Sequence, residues 1–207
     1  MRLKAAIFDL GSVLATNEWP LVYAKIEAAS KVDRGKLKEI IAPLLKKWCA
    51  GKIGENDFWA EFKKQSNATL PKRFTKNFWS KTYKKWSREI KGTWDIAREL
   101  HAKKIRLALL SNIIKPHVVA NEEMGRFQKL RDIGFEALVY SYKEKAEKPD
   151  PRMYTAVLKK LKLPARNCIM IDDKLNVVRG AGRLGMRGIL FRTPEQLRKD
   201  LIVLGLL

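Results

Sequence analysis

Lys4-Ala-Ala-Ile-Phe-Asp-Leu-Gly-Ser-Val-Leu14 is the stretch that decides the fold. Its apolar run, Ala5 to Phe8, has the character of a short strand buried on both faces. Asp9 follows directly, and Gly11 lets the chain turn away without a side-chain clash. In an open α/β sheet, ligands bind just beyond the carboxyl ends of the strands. A carboxylate at that position is placed either for chemistry or, more commonly, for a turn or a helix cap.

Outward from this strand, the chain divides by pattern. Residues 15–90 carry helical spacing and no β-branched strand run. Trp19-Pro20 opens a helix with Val22, Ile26 and Ala29 on one face. Asp33 caps a second helix through Leu37, Ile41, Leu44 and Trp48, which Gly51 ends. Glu55 to Phe62 forms a third, and Pro71 opens a fourth region with Phe74, Phe78, Trp79, Tyr83 and Trp86. Five of the six tryptophans fall here, the aromatic payload a small helical unit needs for its core. Trp19, nearest in sequence to Asp9, is the ring expected to meet a substrate.

Beyond Gly92, strands alternate with helices. Thr93–Lys104 is helical, Ile105–Leu110 a strand, and Phe127–Ile133 helical. Gly134-Phe135 reads as a turn and Ala137–Ser141 as a strand. Pro151–Leu161 is helical, Cys168–Ile171 a strand, Val177–Leu184 a helix, and Gly188–Phe191 a fifth strand. The fold class is α/β: a three-layer Rossmann-like parallel sheet core with an inserted all-helical cap. Residues 1–14 and 91–207 form the core, and 15–90 the cap. The apolar tail Leu201–Leu207 packs either on the core or on a second subunit, leaving monomer or homodimer open.

The chain has 207 residues, 46% of them apolar, enough for one sizeable core with an accessory unit. No eighteen-residue apolar run occurs, so no membrane span is expected. No secretory signal pattern precedes the first strand, and Cys49 and Cys168 read as free thiols, so the expectation is cytoplasmic. Net charge is +21, from 43 basic against 22 acidic residues. Such a surface attracts anions, including nucleic acid nonspecifically. The lysines are dispersed, and no dedicated nucleic-acid-binding signature accompanies them.

Four polar sets follow or flank the strands: Asp9; Ser111 with Asn112; Lys148; and Asp172 with Asp173. A carboxylate such as Asp9 can attack an electrophilic phosphorus. Lys148 and Ser111 supply the charge and donor that a phosphoryl group's oxygens need. Acids facing Asp9 repel it unless a cation lies between them, and Mg2+ prefers oxygen ligands of this kind.

These motifs, in order, resemble those of the haloacid-dehalogenase-like hydrolases. Asp9-Leu-Gly-Ser-Val resembles the first family motif and Leu109-Leu-Ser-Asn112 the second. Lys148-Pro-Asp-Pro-Arg-Met-Tyr154 is similar to the third. Ile171-Asp-Asp-Lys-Leu-Asn-Val-Val-Arg-Gly-Ala181, with Leu184-Gly-Met186, is similar to the fourth. The resemblance implies a magnesium-dependent phosphatase of small phosphorylated metabolites. Asp9 would form an aspartyl-phosphate. Ser111 would bind the transferred group, assisted by the backbone around Asn112, and Lys148 would hold phosphate and Asp9 together. Asp173 and the Gly11 carbonyl would face the metal, with Asp172 as a second ligand or a helper.

Two positions depart from the pattern. Gly11 stands where most phosphatases of this kind carry a second aspartate as general acid and base. Water, the substrate, Thr16 or Glu18 would have to share that task. Val177 stands where many relatives carry another acid, with Asn176 beside it. The glycine keeps two alternatives open: a catalytically weak phosphate- or nucleic-acid-binding or scaffolding protein, and, behind it, a 2-haloacid dehalogenase, for whose halide pocket Arg34 is present but stands in no recognisable pocket motif. The insert holds seventeen basic and eight acidic residues. That excess suits an anionic substrate and equally a solvated lysine-rich surface.

Overall fold

The computed structural model describes residues 3–17 and 19–207. In chain order the elements begin with β1 (Ala5–Phe8), then α1 (Trp19–Ser30), α2 (Arg34–Cys49), α3 (Glu55–Ser66), α4 (Lys72–Thr75) and α5 (Phe78–Trp86). Next come α6 (Lys91–Ala102), β2 (Arg106–Ser111), α7 (Lys115–Glu123), α8 (Arg126–Ile133) and β3 (Phe135–Tyr140). The chain ends with α9 (Ser141–Glu144), α10 (Pro151–Leu161), β4 (Cys168–Asp172), α11 (Leu175–Arg183), β5 (Arg187–Leu190) and α12 (Pro194–Val203).

The five strands form one parallel sheet in the order β3-β2-β1-β4-β5. β1 is central because its side chains are wholly apolar and all four are completely buried. Its alternation serves two cores. Ala6 and Phe8 join Trp94, Leu100, Phe127 and Leu197 on one face, while Ala5 and Ile7 join Met153, Tyr154, Val157 and Ala181 on the other. Phe8 is level with Leu109 of β2 and Ile171 of β4. The chain leaves β1 in one direction for β2 and β3, then returns to its other side for β4 and β5. Asp9 therefore sits at the switch point, where an open parallel sheet has its crevice.

Helices α1–α3 and α5 gather their rings into a third apolar cluster, around Ile26, Ile41, Trp48, Phe58, Phe62 and Trp79, which Ile114 joins from the loop before α7. Asp33 caps α2 as expected, accepting from the amides of Gly35 at 2.7 Å and Lys36 at 3.3 Å. Two links hold the entering and leaving ends of this segment side by side. Ala15 bridges Glu89 in antiparallel fashion, and Thr16 N donates to Arg88 O at 2.8 Å while Arg88 N donates to Thr16 Oγ1 at 2.9 Å.

Three local expectations differ from the structure. Gly134 alone makes the turn, at φ 107°, and a side chain there would collide with the His101 ring; Phe135 already begins β3. Helix α7 was not expected, because its inner face carries the polar His117 and Asn121 and so lacks apolar periodicity. Helix α12 starts well before the apolar tail, capped by Thr193, whose Oγ1 accepts from Gln196 N at 3.2 Å. Leu201 and Leu206 pack in the chain's own core, the first of the two placements open for the tail.

Candidate active site

Asp9, Ser111 and Asp172 are delivered to one edge by three neighbouring strands. Asp9 N donates to Ile171 O at 3.0 Å, continuing the β1–β4 ladder one step past the named strand. Lys148 comes from the loop before α10, and its ammonium lies 2.8 Å from Asp9 Oδ1 and 2.7 Å from Asp172 Oδ2. It also donates to Leu110 O at 2.7 Å, so its three protons have three acceptors. The Lys148 side chain is 2% exposed and that of Asp172 is fully buried.

Asn112 holds this lysine in place. Its Nδ2 donates to Lys148 O at 3.1 Å, and its Oδ1 accepts from Lys148 N at 2.8 Å. The loop after β2 is fixed in turn by Ser141, whose Oγ accepts from Ile113 N at 2.9 Å. Asp172 Oδ1 accepts from Lys174 N at 2.9 Å, the Asx-type turn that commonly explains an aspartate after a strand. Here the same carboxylate also binds a buried cation.

Oxygens of Asp9, Asp172 and Asp173 lie within 4.8 Å of one another. Burial pushes the Asp9 carboxyl up to about 6; Lys148 opposes that rise and Asp172 adds to it. Asp173 is also raised, first by burial and then by Asp172. Burial works against the charge on Lys148, yet Asp9 and Asp172 outweigh it and hold its proton more tightly than usual. One ammonium against three carboxylates leaves the cluster short of positive charge. Asp173 Oδ1 is buried with no hydrogen-bond partner. An orphaned carboxylate oxygen beside two more carboxylates is the donor set a hard divalent cation takes, so magnesium fits these residues.

The cluster opens into a cavity of about 100 Å³, lined by Ser111, Lys148, Gly11, Trp19, Tyr83 and His117 among others. A larger hollow of about 730 Å³ lies around Ile105, Met186 and Arg187, away from these carboxylates. An ideal Cβ on Gly11 meets nothing within 4 Å, so the space a side chain would take there is open. Val177 lines the cavity as an apolar wall, and Asn176 beside it is exposed. Thr16 also lines it, with Oγ1 accepting from Arg88 N at 2.9 Å. Glu18 lies outside the described residues. Arg34 pairs with Glu27 and is not among the lining residues.

His117 and Tyr83 are cavity residues that the sequence did not single out. Their rings pack with centroids 4.4 Å apart. Burial pushes the His117 imidazole down to about 3, so it is neutral at physiological pH. The available signal was the position of His117, six residues after Ser111 on the same sheet edge.

A family profile for haloacid dehalogenase-like hydrolases matches residues 3–185. The chain belongs to this family. As a haloacid dehalogenase-like hydrolase, it is 30% identical over 187 residues to the sesquiterpene phosphatase astK of Aspergillus oryzae, covering 90% of this chain and 88% of that protein. It is 24% identical to the drimenol cyclase drtB of Aspergillus calidoustus over 96% of its own length, but spans only 36% of that longer protein. Among solved structures, the magnesium complex of the family enzyme bt-2542 from Bacteroides thetaiotaomicron superposes with a TM-score of 0.77. The match has 19% identity and covers 93% of this chain and 95% of that one, a likeness of fold. Among the described residues, no helix of this hydrolase is long and apolar enough to cross a membrane.

Proposed function

We propose that the protein is a magnesium-dependent phosphatase of small phosphorylated metabolites, working through an aspartyl-phosphate on Asp9. The observation that carries this reading is the buried Asp9–Lys148–Asp172 contact with Asp173 unpartnered beside it, in a chain of this hydrolase family. The phosphatase name of a relative aligned along nine-tenths of the chain supports it. Residues 15–90 serve as the cap, over a core of 1–14 and 91–207.

Asp9 attacks phosphorus while the bond to the ester oxygen breaks, and the leaving oxygen takes its proton from water. Water then attacks the phosphorus of the aspartyl-phosphate, and the Asp9 carboxylate departs as inorganic phosphate forms. Lys148 keeps the attacking carboxylate aligned and meets the negative charge of the transferred group, and Ser111 donates to its oxygens. Asn112 positions Lys148. Asp9, Asp172, Asp173 and the Gly11 carbonyl would hold the magnesium, which neutralises the carboxylates and polarises the phosphoryl oxygens. With glycine at position 11, the leaving oxygen lacks a general acid, an aid worth about 10²–10⁴ in rate. Turnover should therefore fall steeply as the leaving alcohol becomes less acidic.

A phosphate-release screen with wild type, chelator-treated wild type and Asp9→Asn tests this reading. Release lost under both treatments is the expected result. Phosphate binding without release from any ester would replace it with a phosphate-binding protein.

A further inference from the structure

Three rings join the charged cluster in lining the cavity. Trp19 begins α1 and Tyr83 lies on α5, whereas His117 comes from α7, across the seam where α5 packs on α7. The Trp19 and His117 centroids are 6.4 Å apart, and the Tyr83 and His117 rings are tilted by 30° at 4.4 Å. All three line the cavity that contains Asp9 and Ser111.

Part of the hydrogen-bonding capacity around these rings is committed elsewhere. The Tyr83 hydroxyl lies 3.3 Å from Asn121 Oδ1 and accepts from Arg126 Nη1 at 3.2 Å, both within buried residues. Thr16 Oγ1 accepts from Arg88 N, and Asn17 Oδ1 accepts from Trp19 N at 3.0 Å. The Asn112 amide is held by the Lys148 backbone at both ends. His117 is uncharged, so it offers no cation to a second anionic group. Ser12 and Lys174 also line the cavity and remain for the phosphoryl oxygens.

We infer that Trp19, Tyr83 and His117 form a specificity wall that selects phosphomonoesters whose leaving group presents a hydrocarbon face, flat or branched, over polyol phosphates. The inference rests on the phosphatase reading for its chemistry and on the rings for its selectivity. A polyol set against the ring faces gives up hydrogen bonds to water that a ring face does not replace, and that penalty discriminates against it. A hydrocarbon face gains contact area with the rings and strands no polar group.

Binding of non-hydrolysable phosphonates separates the two parts of this claim. With magnesium present, benzylphosphonate should bind wild type about tenfold more tightly than 2,3-dihydroxypropylphosphonate. Trp19→Ala should cut that ratio to within about threefold, with Trp19→Phe falling between. Equal affinities in wild type, no binding of benzylphosphonate, or an unchanged ratio in a folded Trp19→Ala protein would overturn the wall. Turnover is measured separately on benzyl phosphate. Selective phosphonate binding without turnover would keep the wall and remove the phosphatase.

Discussion

The sheet edge and the helical segment 19–86 handle charge in opposite ways. At the edge, Lys148 is sealed between Asp9 and Asp172, and the side chains of all three are at most 11% exposed. On the helices, charges meet in solvent: Lys84 pairs with Glu123 while the two side chains stay 40% and 51% exposed. The chain's net charge of +21 is therefore carried mainly by its surface, whereas its buried carboxylate cluster is locally negative. Net charge describes what drifts towards the molecule. The few buried charges describe what it can do once there.

The sharpest test of that contrast removes one lysine from each region. Lys148→Met should abolish turnover and cost about 3–5 kcal/mol in denaturant unfolding, because two buried carboxylates lose their partner. A cost below about 1 kcal/mol would mean that the buried contact is not the organising one.

The seam between the regions gives the next largest effect. His117 is pressed by Tyr83, Trp19 and Trp79, with the Arg126 guanidinium over the Tyr83 ring, and its imidazole is held down to about 3. In the unfolded chain it titrates near 6.5. Between those values the unfolded state binds more protons, so the histidine's contribution to stability is intact above pH 6.5 and declines as pH falls towards 3. Relative to His117→Phe, wild type should lose about 2 kcal/mol between pH 7 and pH 5. Parallel pH profiles for the two proteins would contradict a buried neutral imidazole.

Gly11 probes the open space beside Asp9. Its backbone is outside the left-handed region and its Cβ direction is unobstructed, so aspartate fits without strain. Gly11→Asp should raise kcat about tenfold or more for esters of weakly acidic alcohols, by supplying the missing general acid. An unchanged kcat in a folded variant would show that proton transfer to the leaving group does not limit the reaction. The smallest effect belongs to the surface: Lys84→Met should change stability by less than about 1 kcal/mol.

Much of the edge was legible because strands announce their ends. A run such as Ala5–Phe8 or Cys168–Ile171 followed by aspartate places that residue at the carboxyl end of a parallel strand wherever the strand pairs. Pro151–Leu161 was readable from its proline start and apolar spacing. The seam was not legible in the same way. His117 and Asn121 are buried through partners distant in sequence, so they interrupt the apolar period that would have revealed α7. Tyr83 looked like one more core aromatic on a helix, and only the packing of α5 on α7 brings it to the cavity.

The central claim is that Asp9 carries the phosphoryl group. Acid quench during turnover, followed by mass spectrometry of the Asp9-containing peptide, tests it directly. The account predicts one added phosphoryl group on Asp9 in wild type with magnesium, absent in Asp9→Asn, which should lose roughly 10³–10⁶ of the activity. Phosphate release by Asp9→Asn at the wild-type rate, with Asp9 unmodified in wild type, would contradict it.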